Sequence, residues 1–192
     1  CVRVKSVRLL LIRHGQTPGN VLGQIDTAHP GPGLTELGQS QAVELVTTLS
    51  DSGVDALFAS TLVRTQLTAA PISAARRLDV EVRHGLHEIS AGDLELRSDR
   101  ESIEKYLDTV YAWGLGDLKA AMPGGSDGHE FFGRFDSDIA AIANMGVDVA
   151  AAVSHGAAIR VWVSSRALNV SSSFGAENAL DNTGIVTLEG SV

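Results

Sequence analysis

The chain has a single cysteine among its 192 residues, Cys1. One thiol excludes an internal disulfide and a cluster of cysteine metal ligands, and it suits a reducing cytosol. Positive charge is also scarce: 15 Lys and Arg stand against 23 Asp and Glu, a formal net charge of −8. That balance argues against nucleic acid or an anionic membrane as partner, so an anionic ligand would need a local basic pocket set against the global field. Long apolar runs are missing too. The run at 9–12, preceded by Arg3, Lys5 and Arg8, ends at Arg13 after four residues. It is too short for a signal peptide or a membrane span, and a soluble, cytoplasmic protein is expected. Internal repeats and low-complexity linkers are absent as well, so one domain over residues 1–192 is expected, long enough to bury a core without metals or disulfides.

What is present alternates between apolar runs and helical spacing. "VRLLLI" (7–12), "ALFAS" (56–60) and "VAAAVS" (149–154) read as buried parallel strands, with further strands at 80–83 and 184–189. "LTELGQSQAVELVTTLSDSG" predicts a helix with Thr35 as N-cap and Gly53 closing it. "TLVRTQLTAAPISAARRL" predicts another, with Pro71 expected to kink or break it. A more polar, helical stretch at about 93–145 is expected to form a lid or insertion. Its Tyr106, Tyr111 and Trp113 suit either a lid or, more commonly for such spacing, a core. The glycine-rich stretches "GPGLTELG" and "PGGSDG" follow no strand in the dinucleotide-binding manner and lack the Gly-Lys-Ser/Thr of a nucleotide loop, which leaves them turns.

Position ties these elements to chemistry. Arg13 and His14 follow the first strand, Ser60 ends the second with Arg64 a turn later, and His155 follows the third. In an open parallel α/β sheet ligands bind beyond the carboxyl ends of the strands, so these groups should converge. Guanidinium forks suit phosphate oxygens, and a neutral imidazole can attack phosphorus. A helix start after Gly15 would add backbone N–H donors. Glu88, just past the fourth strand, is the best-placed carboxyl to protonate a departing alkoxide, with Asp93 and Glu95 as competitors.

These residues resemble the histidine phosphatase superfamily, also called phosphoglycerate mutase-like, in its branch 1. "RHGQTPGN" is similar to its Arg-His-Gly signature, and "LTELGQSQA", "STLVRTQLTA", "LHEISAGDLE", "PGGSD" and "VSHGAAIR" follow in the family's order across roughly residues 8–188. The resemblance implies a three-layer α/β/α sandwich with a mostly parallel central sheet. It implies His14 as phosphate-accepting nucleophile, Arg13, Arg64 and His155 as the rest of the phosphate pocket, and Glu88 as proton donor. Asn20 and Gln16 would lie in the phosphate- or substrate-binding loop, Ala157 would offer a backbone donor, and Asn182 would be uncatalytic. Two stretches depart from the pattern: Leu96 and Arg97 stand where the family commonly continues Gly-Arg, and "PGGSD" replaces Pro-Gly-Gly-Glu-Ser, which removes a carboxylate from the lid.

Other readings of single residues weigh less. His84 and His87 are three apart, not the i, i+4 pair of a zinc protease, and no metal or other cofactor is expected. His29 and His129 lie in segments where exposed histidines are common. The activity expected is metal-independent hydrolysis of a small phosphate monoester. The alternatives are phosphoryl transfer by a phosphoglycerate mutase and a non-catalytic phospholigand-binding module. Gln16 in place of the Glu usual in mutases, and the short chain, favour hydrolysis. A homodimer through a sheet edge is compatible with such a fold.

Overall fold

The computed structural model describes residues 6–191; Cys1, Arg3 and Lys5 lie outside the described residues. Five strands, β1 (Ser6–Arg13), β2 (Ala56–Ala59), β3 (Val80–Val82), β4 (Val149–Ser154) and β5 (Ile185–Ser191), form one sheet in the order β3-β2-β4-β1-β5. All neighbours are parallel except β5, which pairs antiparallel with β1 at the edge.

The apolar strands are explained by burial on both faces. Leu9, Leu11, Phe58, Ala150 and Ala152 point into one core, and Leu10, Ile12, Leu57, Ala59, Ala151 and Val153 into the other. The alternation has period two, as the pleat requires. Helices α2 (Glu36–Thr48) and α3 (Val63–Arg76) cover the second face through Leu45, Ala69 and Ile72. The first face is covered by α4 (Arg100–Gly114), α5 (Gly128–Ala143) and α6 (Gly156–Arg166), whose Tyr106, Val110, Trp113, Phe131, Phe135, Ala158 and Trp162 fill the larger core. The result is a mixed α/β, three-layer arrangement. Two short helices, α1 (Pro18–Leu22) and α7 (Phe174–Glu177), flank the layers.

Several local expectations are corrected. Pro71 lies inside α3 without breaking it. The lost backbone donor is outweighed by the buried face of Arg64, Thr65, Thr68, Ala69 and Ile72. Thr35 does cap α2, its hydroxyl accepting from Gly38 N at 3.0 Å, but the helix closes at Leu49. Gly53, at φ +72°, instead makes the later turn into β2. In "PGGSD" the carboxylate of Asp127 caps α5, accepting from His129 N at 3.0 Å and Glu130 N at 3.2 Å. Expectation is met at Trp113 and Tyr106, which are core residues, as their spacing more commonly implies.

Candidate active site

Strand register brings the distant motifs together. Because Arg13 pairs with Ser154, the next residues, His14 and His155, leave adjacent strands side by side. His14 N continues the ladder to Ser154 O at 3.1 Å, and Ser60 N does the same to Val153 O at 3.1 Å. The imidazole centroids of His14 and His155 are 5.3 Å apart, edge to face. The loop after β1 is then held down from the opposite layer. A Cβ on Gly15 would meet Gly38 O at 2.6 Å, and one on Gly38 would meet Gln16 O at 2.1 Å, so only glycine permits this crossing of loop and α2.

His14 is 4% exposed, and its Nδ1 lies 2.8 Å from Gly15 O. A carbonyl only accepts, so Nδ1 carries the hydrogen and Nε2 keeps a lone pair. Burial, and then the cation of Arg64, lowers the His14 pKa to about 3, with Arg13 adding to the effect. His155 is fully buried and its pKa is lowered for the same first reason. Its Nε2 meets Ser60 Oγ at 2.8 Å.

Arg64 is 2% exposed although its side chain is charged. Nη2 donates to Asp26 O at 2.8 Å, while Nη1 stands 3.5 Å from Asp26 Oδ1. Arg13 donates through Nη1 to Leu180 O at 2.5 Å. Among the described residues, six buried side-chain polar atoms have no hydrogen-bond partner, and four of them gather here: Arg13 Nε, Arg64 Nε, Arg64 Nη1 and His155 Nδ1. Buried donors are ordinarily satisfied, so this concentration marks a place suited to an oxyanion.

Glu88 reaches the start of α6. Its Oε1 accepts from Ile89 N and Ala158 N, each at 2.9 Å, and Oε2 accepts from Ala157 N at 3.3 Å. The Ala157 N–H is therefore engaged by Glu88 rather than turned to an anion. Glu95 is occupied by Thr27 and by Ala28 N, and neither it nor Asp93 lines the cleft.

Gln16 also departs from expectation. It bonds outward, Oε1 accepting from Thr35 Oγ1 at 2.9 Å, and it is not among the cleft residues. No helix starts directly after Gly15: α1 begins at Pro18, and the Gly15 and Gln16 N–H groups go to Thr68 Oγ1 and Gln41 Oε1. Asn20 does line the cleft. It is held by Thr17 N, bonded to Asn20 Oδ1 at 3.1 Å, and by Asn182 Nδ2 at 3.1 Å, which also reaches His14 O at 3.0 Å.

The cleft itself measures about 220 Å³ and exposes Arg13, His14, Arg64 and Glu88 beside Gln24, Asp26, Ile103, Tyr106, Leu107 and Arg160. Asp26, Arg160 and the bracing Asn182 were not assigned site roles from sequence. The available signals were a cation one turn into the helix after His155 and an Asn matching a minor family position. A larger cavity of about 880 Å³ lies at the β1 and β5 edge. It is mainly apolar, and its Arg166 and Glu189 are already paired with Asp136 and Arg8. His84, His29 and His129 are exposed, and among the described residues no group of three His, Cys, Asp or Glu could hold a metal ion. No described helix is long and apolar enough to cross a membrane.

An α/β protein with imidazoles and guanidiniums gathered at the carboxyl ends of its strands is of the kind that handles oxyanions. Residues 9–191 match the histidine phosphatase superfamily (branch 1), and the chain belongs to that superfamily. It is 44% identical over 130 residues to a PE-PGRS family protein of Mycobacterium tuberculosis, covering 64% of this chain and 22% of that protein. To the adenosylcobalamin/alpha-ribazole phosphatase of Escherichia coli it is 34% identical over 128 residues, 67% of this chain and 62% of that enzyme. The alignments thus span less than two thirds of either relative. The crystal structure of the alpha-ribazole phosphatase from Shigella flexneri superposes with a TM-score of 0.73 at 30% identity, over 94% of this chain and 89% of that one.

Proposed function

We propose that the chain hydrolyses small phosphate monoesters without a metal, through a phosphohistidine at His14. The observation that carries this reading is the set of unpartnered buried polar atoms on Arg13, Arg64 and His155 around a neutral imidazole, the guanidinium nitrogens among them being donors. The ester's phosphoryl oxygens take those donors. The His14 Nε2 lone pair attacks phosphorus and forms the N–P bond as the P–O bond to the leaving group breaks, with guanidinium charge balancing that of the transferring group. Glu88 gives its proton to the departing oxygen. In the second half Glu88 takes a proton from water, whose oxygen attacks phosphorus, and the N–P bond breaks to return neutral His14 and phosphate.

Asn182 braces the loop by donating to the His14 carbonyl and to Asn20 Oδ1. Ile103, Tyr106 and Leu107 of α4 line the cleft, and we assign α4 the side that meets the leaving group. That mixed lining, which also includes Gln24 and Arg160, suits a small organic phosphate. The names of the two alpha-ribazole phosphatases agree with this class.

Hydrolysis of p-nitrophenyl phosphate in excess EDTA tests the reading. Wild type is expected to turn over and His14→Ala to lose at least about a thousandfold, since an activated nucleophile is removed. Equal rates for the two would overturn the nucleophile assignment. Conversion of 3-phosphoglycerate only in the presence of a bisphosphate primer, without phosphate release, would point to the mutase instead.

A further inference from the structure

The loop that carries Glu88 is held in an unusual way. Its consecutive carbonyls at residues 85, 86, 87, 88 and 89 each accept a side-chain donor. Gly85 O and His87 O take Arg134 Nη1 at 2.8 and 2.7 Å, and Glu88 O takes Arg134 Nη2 at 2.9 Å. Leu86 O takes Ser154 Oγ at 2.7 Å, and Ile89 O takes Tyr106 Oη at 3.0 Å. One guanidinium thus serves three of the five. Most buried carbonyls are satisfied by secondary structure; here, beyond one backbone turn from His87 N to His84 O at 3.2 Å, the carbonyls of residues 85–89 are held by side chains, and the loop depends on them for its shape.

The seat is as specific as the clamp. Gly85 N donates to Asp138 Oδ2 at 2.6 Å, and a Cβ on Gly85 would lie 2.3 Å from Arg134 O, so the loop rests directly on the backbone of α5. Arg134 itself stacks over Phe131, 5.2 Å to the ring centroid, with Nε 3.4 Å from Glu130 Oε1. A planar fork meets three carbonyls along a curved loop from two fixed nitrogens, a geometry that the single ammonium nitrogen of lysine does not reproduce. The carboxyl of Glu88 can meet the first N–H groups of α6 only if its own backbone is held at this distance.

We propose that Arg134 is a positioning residue for the Glu88 carboxyl: α5 sets, through one guanidinium, where the proton donor stands relative to His14. The proposal rests on the reading of Glu88 as the proton donor. It separates from a merely structural role at the phosphorylation half-reaction, read by kcat/KM, where a misplaced acid harms only esters whose leaving group needs protonation.

The test is a double-mutant cycle of Arg134→Met and Glu88→Gln, assayed on p-nitrophenyl phosphate and on an alkyl ester, glycerol 1-phosphate. General acid catalysis is worth about 10²–10⁴-fold. Arg134→Met is accordingly expected to lower kcat/KM on the alkyl ester by roughly tenfold to a hundredfold, and on the aryl ester by no more than about threefold. In the Glu88→Gln background the same change is expected to add less than about threefold on either ester, because coupled residues do not add. Arg134→Lys keeps the charge and most of the stem, and it serves if the Met variant does not fold. It is expected to show the same selective loss, and a wild-type alkyl rate would overturn the clamp. Equal losses on both esters, or multiplying losses in the double variant, would overturn the clamp while Glu88 stands. Equal losses for Glu88→Gln alone would overturn the proton-donor reading and the clamp with it.

Discussion

His14 shows how a residue's surroundings set its chemistry. An exposed imidazole is half charged near pH 6.5; buried beside Arg64, this one is neutral down to about 3. Neutrality keeps the Nε2 lone pair available, and it leaves a thermodynamic trace. Between pH 6.5 and 3 the unfolded chain binds a proton at this side chain that the folded chain does not, so stability rises with pH through that window and is lost as pH falls. Each such histidine contributes a slope of up to about 1.4 kcal/mol per pH unit, and His155 acts in the same direction. Urea unfolding of His14→Asn is therefore expected to show a weaker dependence on pH between 6 and 4 than wild type. An unchanged slope would mean that His14 titrates normally in the folded protein. Direct observation of the His14 ring by NMR would show no titration between pH 5 and 8.

At the scale of elements, the site exists because loops are pinned by the layers on either side. Gly15 and Gly38 let α2 touch the loop after β1, and the opposite layer holds the Glu88 loop through α5. Gly38→Ala places a Cβ 2.1 Å from Gln16 O. It is expected to cost roughly 1–3 kcal/mol, the usual range for overpacking, and to lower kcat by displacing His14. Retained stability and activity, measured by urea unfolding and aryl phosphate hydrolysis, would show that the crossing tolerates a methyl. This contact explains what was legible in the sequence and what was not. The runs at 9–12 and 149–153 gave away buried strands, and residues following those strands had to share one end of the sheet. Gln16 sits in the signature yet bonds to Thr35, and Ala157 N–H is taken by Glu88, because side-chain direction within a loop is decided by tertiary partners. Arg134 carries no local signal at all: its three acceptors lie 46 to 49 residues earlier.

For the whole molecule, the charge problem raised by a net −8 is solved locally. Arg64 is buried and Arg13 half-buried, and both are presented to one small cleft, where low dielectric strengthens their pull on an anion. Inorganic phosphate is expected to stabilise the protein by mass action, about 2.7 kcal/mol at a hundredfold excess over its Kd. Arg64→Gln is expected to remove most of that thermal shift, and an unchanged shift would place the anion elsewhere. The central claim is covalent, and one measurement reaches it directly. Rapid-quench mass spectrometry under alkaline conditions, during turnover of an aryl phosphate, reads which side chain carries the phosphoryl group. A single acid-labile, base-stable phosphate on His14, absent from His14→Ala, is expected. A phosphoryl group on any other residue, or turnover with no phosphoenzyme at all, would contradict it.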